Sequence, residues 1–141
     1  MLFRSARHSS SPLVATHSNA HTLCPQPRNL TDRQLLAIRD SGGVTGVNFG
    51  NAFLRADGKR DSDTPLSTIV RHIDYLINIM GDDHVALGSD FDGITLPDDL
   101  HDVSGLPRLI SALRDSGYDQ FVLNKLLWGN WQKVLQNVWQ Q

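Results

Sequence analysis

His84-Val85-Ala86-Leu87-Gly88-Ser89-Asp90-Phe91-Asp92-Gly93 is a short apolar run that ends in two acids and a glycine. It lacks the strict alternation of a half-buried strand, so both of its faces are expected to be covered, as in the parallel strands of βα units. Asp92-Gly93 is a turn signal that stops the strand. Two earlier runs read the same way, Leu13-Val-Ala-Thr-His17 and Val44-Thr-Gly-Val-Asn-Phe49. Each of the three has a helical pattern downstream.

The helices have legible ends. Thr31 can cap a helix through about Arg39 that Gly42-Gly43 closes. Thr64 reads as a second cap, with Pro65 at the first helical position. Leu66, Ile69, Val70, Ile73, Leu76, Ile77 and Met80 then recur at helical spacing before Gly81. Three more helices are expected, over 107–116, 119–127 and 129–138. In the last, Trp131, Val134, Leu135 and Val138 are expected on one side. The fold class is therefore α/β, in about three βα units followed by C-terminal helices. Three parallel strands cannot close a sheet by themselves, which leaves a small open α/β domain or a slice of a (β/α)8 barrel.

Composition narrows the function classes. The chain has 141 residues, 40% apolar and 20% charged, which suits one soluble globular domain with a core. A net charge of -2 gives no electrostatic case for nucleic acid or an anionic membrane. No apolar run approaches the ~20 residues of a membrane span. Cys24 is the single cysteine, so no intrachain disulfide can form. The compartment stays open, with a cytoplasmic location favoured. Met1 to Thr31 contains no acid and carries Arg4 and Arg7, which mimics a transit peptide. Because this stretch runs unbroken into the first strand, Met1 reads as starting inside a longer ancestral sequence. A presequence over about residues 1–12 is the alternative.

Polar residues stand at the C-terminal end of each strand: His17-Ser18-Asn19, Asn48, and Asp90 followed by Asp92. In parallel α/β sheets that is where sites form. A neutral imidazole at His17 is suited to bind zinc, or merely to hydrogen-bond a loop. Asp90 could hold and move a proton, whereas Asp92 reads as the turn residue. Arg28 lies in a loop stiffened by Pro25 and Pro27, where a guanidinium could take a substrate carboxylate bidentately or simply be solvated. His72-Ile73-Asp74 matches the H-x-D metal pattern, but that pattern needs a strand. On a helix, residues two apart point away from each other, so His72 and Asp74 read as surface or boundary residues. His8, His21, His84 and His101 show no ligand-like pairing.

Six stretches together resemble the membrane dipeptidase family, peptidase family M19. They are Val14-Ala-Thr-His-Ser-Asn-Ala20, Pro27-Arg-Asn-Leu-Thr-Asp32, Gly46-Val-Asn-Phe49, His72-Ile-Asp-Tyr75, Leu87-Gly-Ser-Asp-Phe-Asp-Gly93 and Gly129-Asn-Trp131. They occur in family order from about residue 12 onward. The resemblance implies the C-terminal portion of a (β/α)8 barrel with two Zn2+ ions bridged by a carboxylate and a water. It implies hydrolysis of dipeptides, often with tolerance for a D-residue at the C-terminal position. By the same resemblance His17 falls on a zinc ligand, Arg28 on the substrate-carboxylate contact, and Asp90 on a substrate-binding, proton-moving aspartate. Phe53 falls where some members carry a tyrosine near the substrate. No segment matches the family's first-strand His-x-Asp, its bridging Glu or its other ligand histidine on the strand before His17. A catalytic zinc needs about three protein ligands, so the isolated chain is expected to be an inactive fragment of a dipeptidase. The alternatives are a non-catalytic barrel remnant or interaction module, or another amidohydrolase-like metal-dependent hydrolase. With the first and third strands each expected to present an open edge, the chain should self-associate, and sedimentation of a dilute sample checks this: a single well-behaved monomer would contradict it.

Overall fold

The computed structural model describes residues 8–139. The presequence expectation therefore falls largely outside the described residues. Strands β1 (Val14–Ala15), β2 (Val44–Asn48) and β3 (Val85–Ser89) form one parallel sheet in the order β1-β2-β3. Val14 pairs with Val44, Thr45 with Val85 and Val47 with Leu87. Each crossover steps to the next strand in the same direction. That winding is the one found along a barrel wall, and it is shared by one half of a doubly wound sheet.

Alternation along the strands divides their side chains between two faces. Val47 and Val85 pack into the larger core with Leu35 and Ile38 of helix α1 (Asp32–Asp40). Ile69, Ile73 and Leu76 join them; α2 is the single turn Asn51–Leu54, and these three belong to α3 (Leu66–Met80). Val44 and Ala86 face the other way, against Trp131 and Val134. Asn48 shares that second face and opens its upper end.

Gly46 and Gly88 leave this second face bare for a reason. A Cβ at either position would lie 2.2 Å from the carbonyl oxygen of Thr16, which crosses over them. The same crossing explains why β1 is shorter than expected. After Ala15 the chain leaves the ladder, and only Ser18 N–H to Gly46 O (2.8 Å) continues it in the backbone.

The helix ends follow local chemistry. Gln34 Oε1 accepts from the Thr31 N–H at 2.9 Å, and α1 runs one residue past Arg39. Pro65, rather than Thr64, is the cap of α3, because the Thr64 hydroxyl donates to the Asp61 carbonyl at 2.6 Å. Gly81 ends α3 with φ at +83°, a conformation that favours glycine. The C-terminal helices are α4 (Leu106–Asp115), α5 (Gln120–Asn124) and α6 (Asn130–Trp139). A π-helical turn, Lys125–Gly129, joins the last two. Asp119 caps α5 by accepting from the Val122 N–H. The apolar side of α6 is narrower than its sequence suggests: Val134 is buried, but Leu135 and Val138 are 43% and 41% exposed. Among the described residues no helix is long and apolar enough to cross a membrane.

Among the described residues the expectation of two open sheet edges holds only for β1. On the far side of β3, the Val85 carbonyl accepts from Asn130 Nδ2 at 2.7 Å and the Leu87 carbonyl from Trp131 Nε1 at 2.9 Å. Lys125 reinforces this closure by reaching Asp82 and Asp83 at 3.0 and 3.1 Å. Side chains at the start of α6 thus satisfy an edge that would otherwise invite another strand.

His72 also departs from expectation, being only 1% exposed. Asp74 does face outward, where it accepts from the Tyr118 hydroxyl. The His72 Nδ1 takes the backbone N–H of Ala20 (3.3 Å), so the ring proton sits on Nε2 and is donated to the Leu54 carbonyl (2.9 Å). Burial pushes this imidazole below its ordinary range; the Leu54 carbonyl opposes that shift and Arg71 adds to it. A lowered folded value means that the unfolded chain takes up the proton first. Stability is then full above about pH 6.5 and declines as pH falls below it. Urea unfolding midpoints across roughly pH 5 to 8 should show this decline, and His72→Asn should flatten it.

Candidate active site

The upper end of the bare face is organised by three buried asparagines. Asn19 Oδ1 accepts from the Asn48 N–H (2.9 Å), and Asn19 Nδ2 donates to the Asn48 carbonyl (2.9 Å) and the Phe53 carbonyl (3.1 Å). This side-chain amide stands where the next peptide of β1 would have paired with β2. Asn29 Nδ2 donates to the same Phe53 carbonyl and to that of Cys24, both at 2.9 Å, while its Oδ1 takes the Asn19 N–H. The loop after β1 and the turn α2 are thereby held against each other. Cys24 lies within this packing, and burial pushes its thiol up.

Asn48 also sets the acid. Its Oδ1 accepts from the Gly50 N–H (2.7 Å), which turns its amide nitrogen toward Asp90 Oδ2 at 2.9 Å. Asp90 follows β3 with φ at +78°, and Ser89 and Asp92 also have positive φ, +54° and +66°. Left-handed backbone at non-glycine residues is costly and clusters at sites where a side chain must be aimed. The Phe49 N–H to Ser89 carbonyl bond (2.9 Å) holds this turn against the end of β2. The register shift between Val47 and Asn48 lies at the same level.

His17, Arg28 and Asp90 line one cleft of about 610 Å³, with Phe53, Arg60 and Asp92. The three residues singled out in the sequence are therefore brought together, and His72 and Asp74 lie elsewhere. Arg28 Nη2 lies 2.9 Å from His17 Nε2, and its guanidinium carbon is 5.6 Å from the centre of the Phe53 ring. A guanidinium only donates, so His17 Nε2 is the acceptor. Any proton on His17 then sits on Nδ1, 2.7 Å from Thr16 Oγ1. Asp92 occupies the expected turn and also reaches the cleft. Arg60, on the loop after α2, escaped the sequence reading because a single loop arginine carries no pattern. Asn19 and Asn48 were visible as strand-end polar residues, but nothing in their spacing revealed their bonds to backbone.

These residues do not by themselves fit a zinc ion. Among the described residues no group of three His, Cys, Asp or Glu side chains could hold a metal. The chain contains no glutamate at all, so a bridging Glu cannot come from it. The His17 nitrogen that faces the cleft is already engaged by Arg28.

Asn19→Ala should destabilise the fold by about 2–4 kcal/mol in chemical denaturation, because it strands the buried N–H and carbonyl of Asn48 together with part of the Phe53 carbonyl's bonding. Asn19→Asp should lose nearly as much, since it keeps the acceptor but no donor.

Comparison with known proteins gives a consistent result. The family model described as membrane dipeptidase (peptidase family M19) matches residues 3–141. An uncharacterised protein in the pqqA 5′ region of Klebsiella pneumoniae is 84% identical over 136 residues, 96% of this chain and 50% of that protein. Dipeptidase ataJ of Aspergillus terreus is 36% identical, over 92% of this chain and 32% of its own length. Among solved structures, dipeptidase AC, a metallopeptidase of family M19, superposes with a TM-score of 0.96 at 50% identity, covering 98% of this chain and 41% of that one. A Rhodobacter sphaeroides metallopeptidase, liganded with a phosphinate mimic of the dipeptide L-Ala-D-Ala, gives 0.95 at 50% identity, with 96% and 39% covered. The chain thus spans half or less of each of these proteins. It belongs to the membrane dipeptidase family, peptidase family M19, and its fold is the C-terminal portion of that family's (β/α)8 barrel.

Proposed function

We propose that this chain provides the carboxylate clamp and the proton carrier of a dipeptide-hydrolysing site, and that the described residues alone do not turn over substrate. The observation that supports this most is the meeting of a guanidinium, an imidazole and a carboxylate in one cleft at the C-terminal ends of adjacent parallel strands. The solved relative with a phosphinate dipeptide mimic supports a dipeptide as the substrate class.

Arg28, steadied over Phe53, takes the free carboxylate of a dipeptide. That contact sets the peptide bond at a fixed distance from Asp90. Asn48 engages one oxygen of Asp90, Oδ2, and Asp90 lines the cleft, so Oδ1 is the oxygen we assign to the proton. Asp90 can there accept a proton from an attacking water and return it to the departing amine nitrogen. Phe53 offers no hydroxyl, so contact at that position is apolar. Zinc, which the family implies, would need ligands beyond the described residues. The absence of a three-ligand group also favours a second reading, a substrate-binding module without catalysis of its own.

Titration of the purified chain with glycyl-D-alanine, followed by amide resonances, tests both parts. Signals at His17, Phe53 and Asp90 should move, and Arg28→Met should weaken the binding by about 10- to 100-fold. Binding retained in that variant would remove the clamp role. Sustained hydrolysis by the chain alone, abolished by a chelator, would overturn its inactivity.

A further inference from the structure

The buried imidazole of His72 takes no part in the chemistry above, yet both of its nitrogens are committed. Nδ1 receives the N–H of Ala20, the residue after Asn19, and Nε2 donates to the carbonyl of Leu54, the residue after Phe53. Asn19 and Phe53 are themselves joined, since Asn19 Nδ2 and Asn29 Nδ2 both donate to the Phe53 carbonyl. Successive peptide units on each side of one gap are therefore bridged, first by amides and then by an imidazole. One side is the loop that goes on to Arg28. The other is the turn α2, which carries the ring beneath it.

We propose that His72 is a positioning residue: from α3, outside the cleft, its imidazole fixes the Arg28 loop and α2 at the separation that keeps the guanidinium over Phe53. What those loops hold rests on the dipeptide reading; that His72 holds them does not. A helix side chain suits the task because α3 is the longest helix and is packed into the main core. Histidine suits it because the gap presents one donor and one acceptor, and a neutral imidazole offers the complementary pair at opposite corners of a rigid ring. Asparagine carries both groups but is too short to span the gap, so it reaches only the first, and phenylalanine offers neither, although it keeps the ring. The hollow beside His72, about 310 Å³ and lined by Arg55, Asp57, Arg71 and Thr68, is separate from the cleft, so the imidazole stands outside the cleft while remaining buried.

The test compares the wild-type chain with His72→Phe and His72→Asn. Nitrogen-15 shifts of the wild-type ring should report the proton on Nε2. In His72→Phe, exchange of the Ala20 amide should quicken about tenfold. The Arg28 side-chain protons should also lose their ring-current shift from Phe53, while the slowest-exchanging amides of α1 and α3 stay as they were. His72→Asn, which restores an acceptor for Ala20, should recover the Ala20 protection and part of the Arg28 shift. Faster Ala20 exchange with Arg28 unmoved would show that the bond is local packing and would overturn the proposal. A wild-type ring protonated on Nδ1 would also overturn it, and that measurement holds even if His72→Phe fails to fold. None of these readings needs a bound dipeptide, so failure of glycyl-D-alanine to bind would refute the functional reading and leave this one standing.

Discussion

One side-chain amide, that of Asn19, takes over where the backbone ladder between β1 and β2 gives out. After Ala15 the chain must rise over Gly46 and Gly88, and a peptide that rises cannot also pair. Asn19 restores the lost pair of bonds with Asn48 through its own carbonyl and nitrogen. A buried, unpaired peptide costs roughly the full desolvation penalty of each group, so the sheet could not tolerate the departure without this replacement. Everything above it depends on the result. Asn48 is held in register, its amide turns to Asp90, and the loop that follows Asn19 delivers Arg28 to the same opening.

The carboxylate is placed by backbone strain and the guanidinium by packing. Ser89, Asp90 and Asp92 accept left-handed backbone, and the cost is offset by the ladder bond from Phe49 and the amide of Asn48. Arg28 has no such constraint on its own backbone and is exposed, so its aim comes from the Phe53 face and His17 Nε2. The cleft joins a rigid wall to an adjustable one. The carboxylate sits on the sheet, where its position is set to within a bond's tolerance, while the guanidinium sits on a loop that other groups must steady.

How much of this could be read in the sequence depends on the range of the interaction. The strands around Val44 and Val85 were legible because burial on both faces leaves an unbroken apolar run, and α3 because its apolar stripe recurs with the helical period. His17, Arg28 and Asp90 were legible as strand-end and loop residues in stretches that resemble a known family. Their meeting in one cleft depends on the winding of the sheet. His72 was misread because a helical wheel shows only where a residue points, not which loop closes over it. Its partners, Ala20 and Leu54, are 52 and 18 residues away in the chain. The covered edge of β3 was missed for the same reason: donors on a distant helix leave no trace in the strand they complete. The three asparagines look like ordinary loop residues until the backbone groups they serve are known.

The cap on β3 has a consequence in time. The Val85 and Leu87 carbonyls wait for donors on Asn130 and Trp131, 45 and 44 residues further along. At synthesis rates of about 5–20 residues per second, the strand exists for roughly 2 to 9 seconds before its partners are made. During that interval an apolar strand edge is exposed on the nascent chain, open to any passing segment with free backbone groups. Translation speed through the codons for α4, α5 and the π-helical turn thus governs how long the growing chain is vulnerable, even though none of those residues touches the cleft.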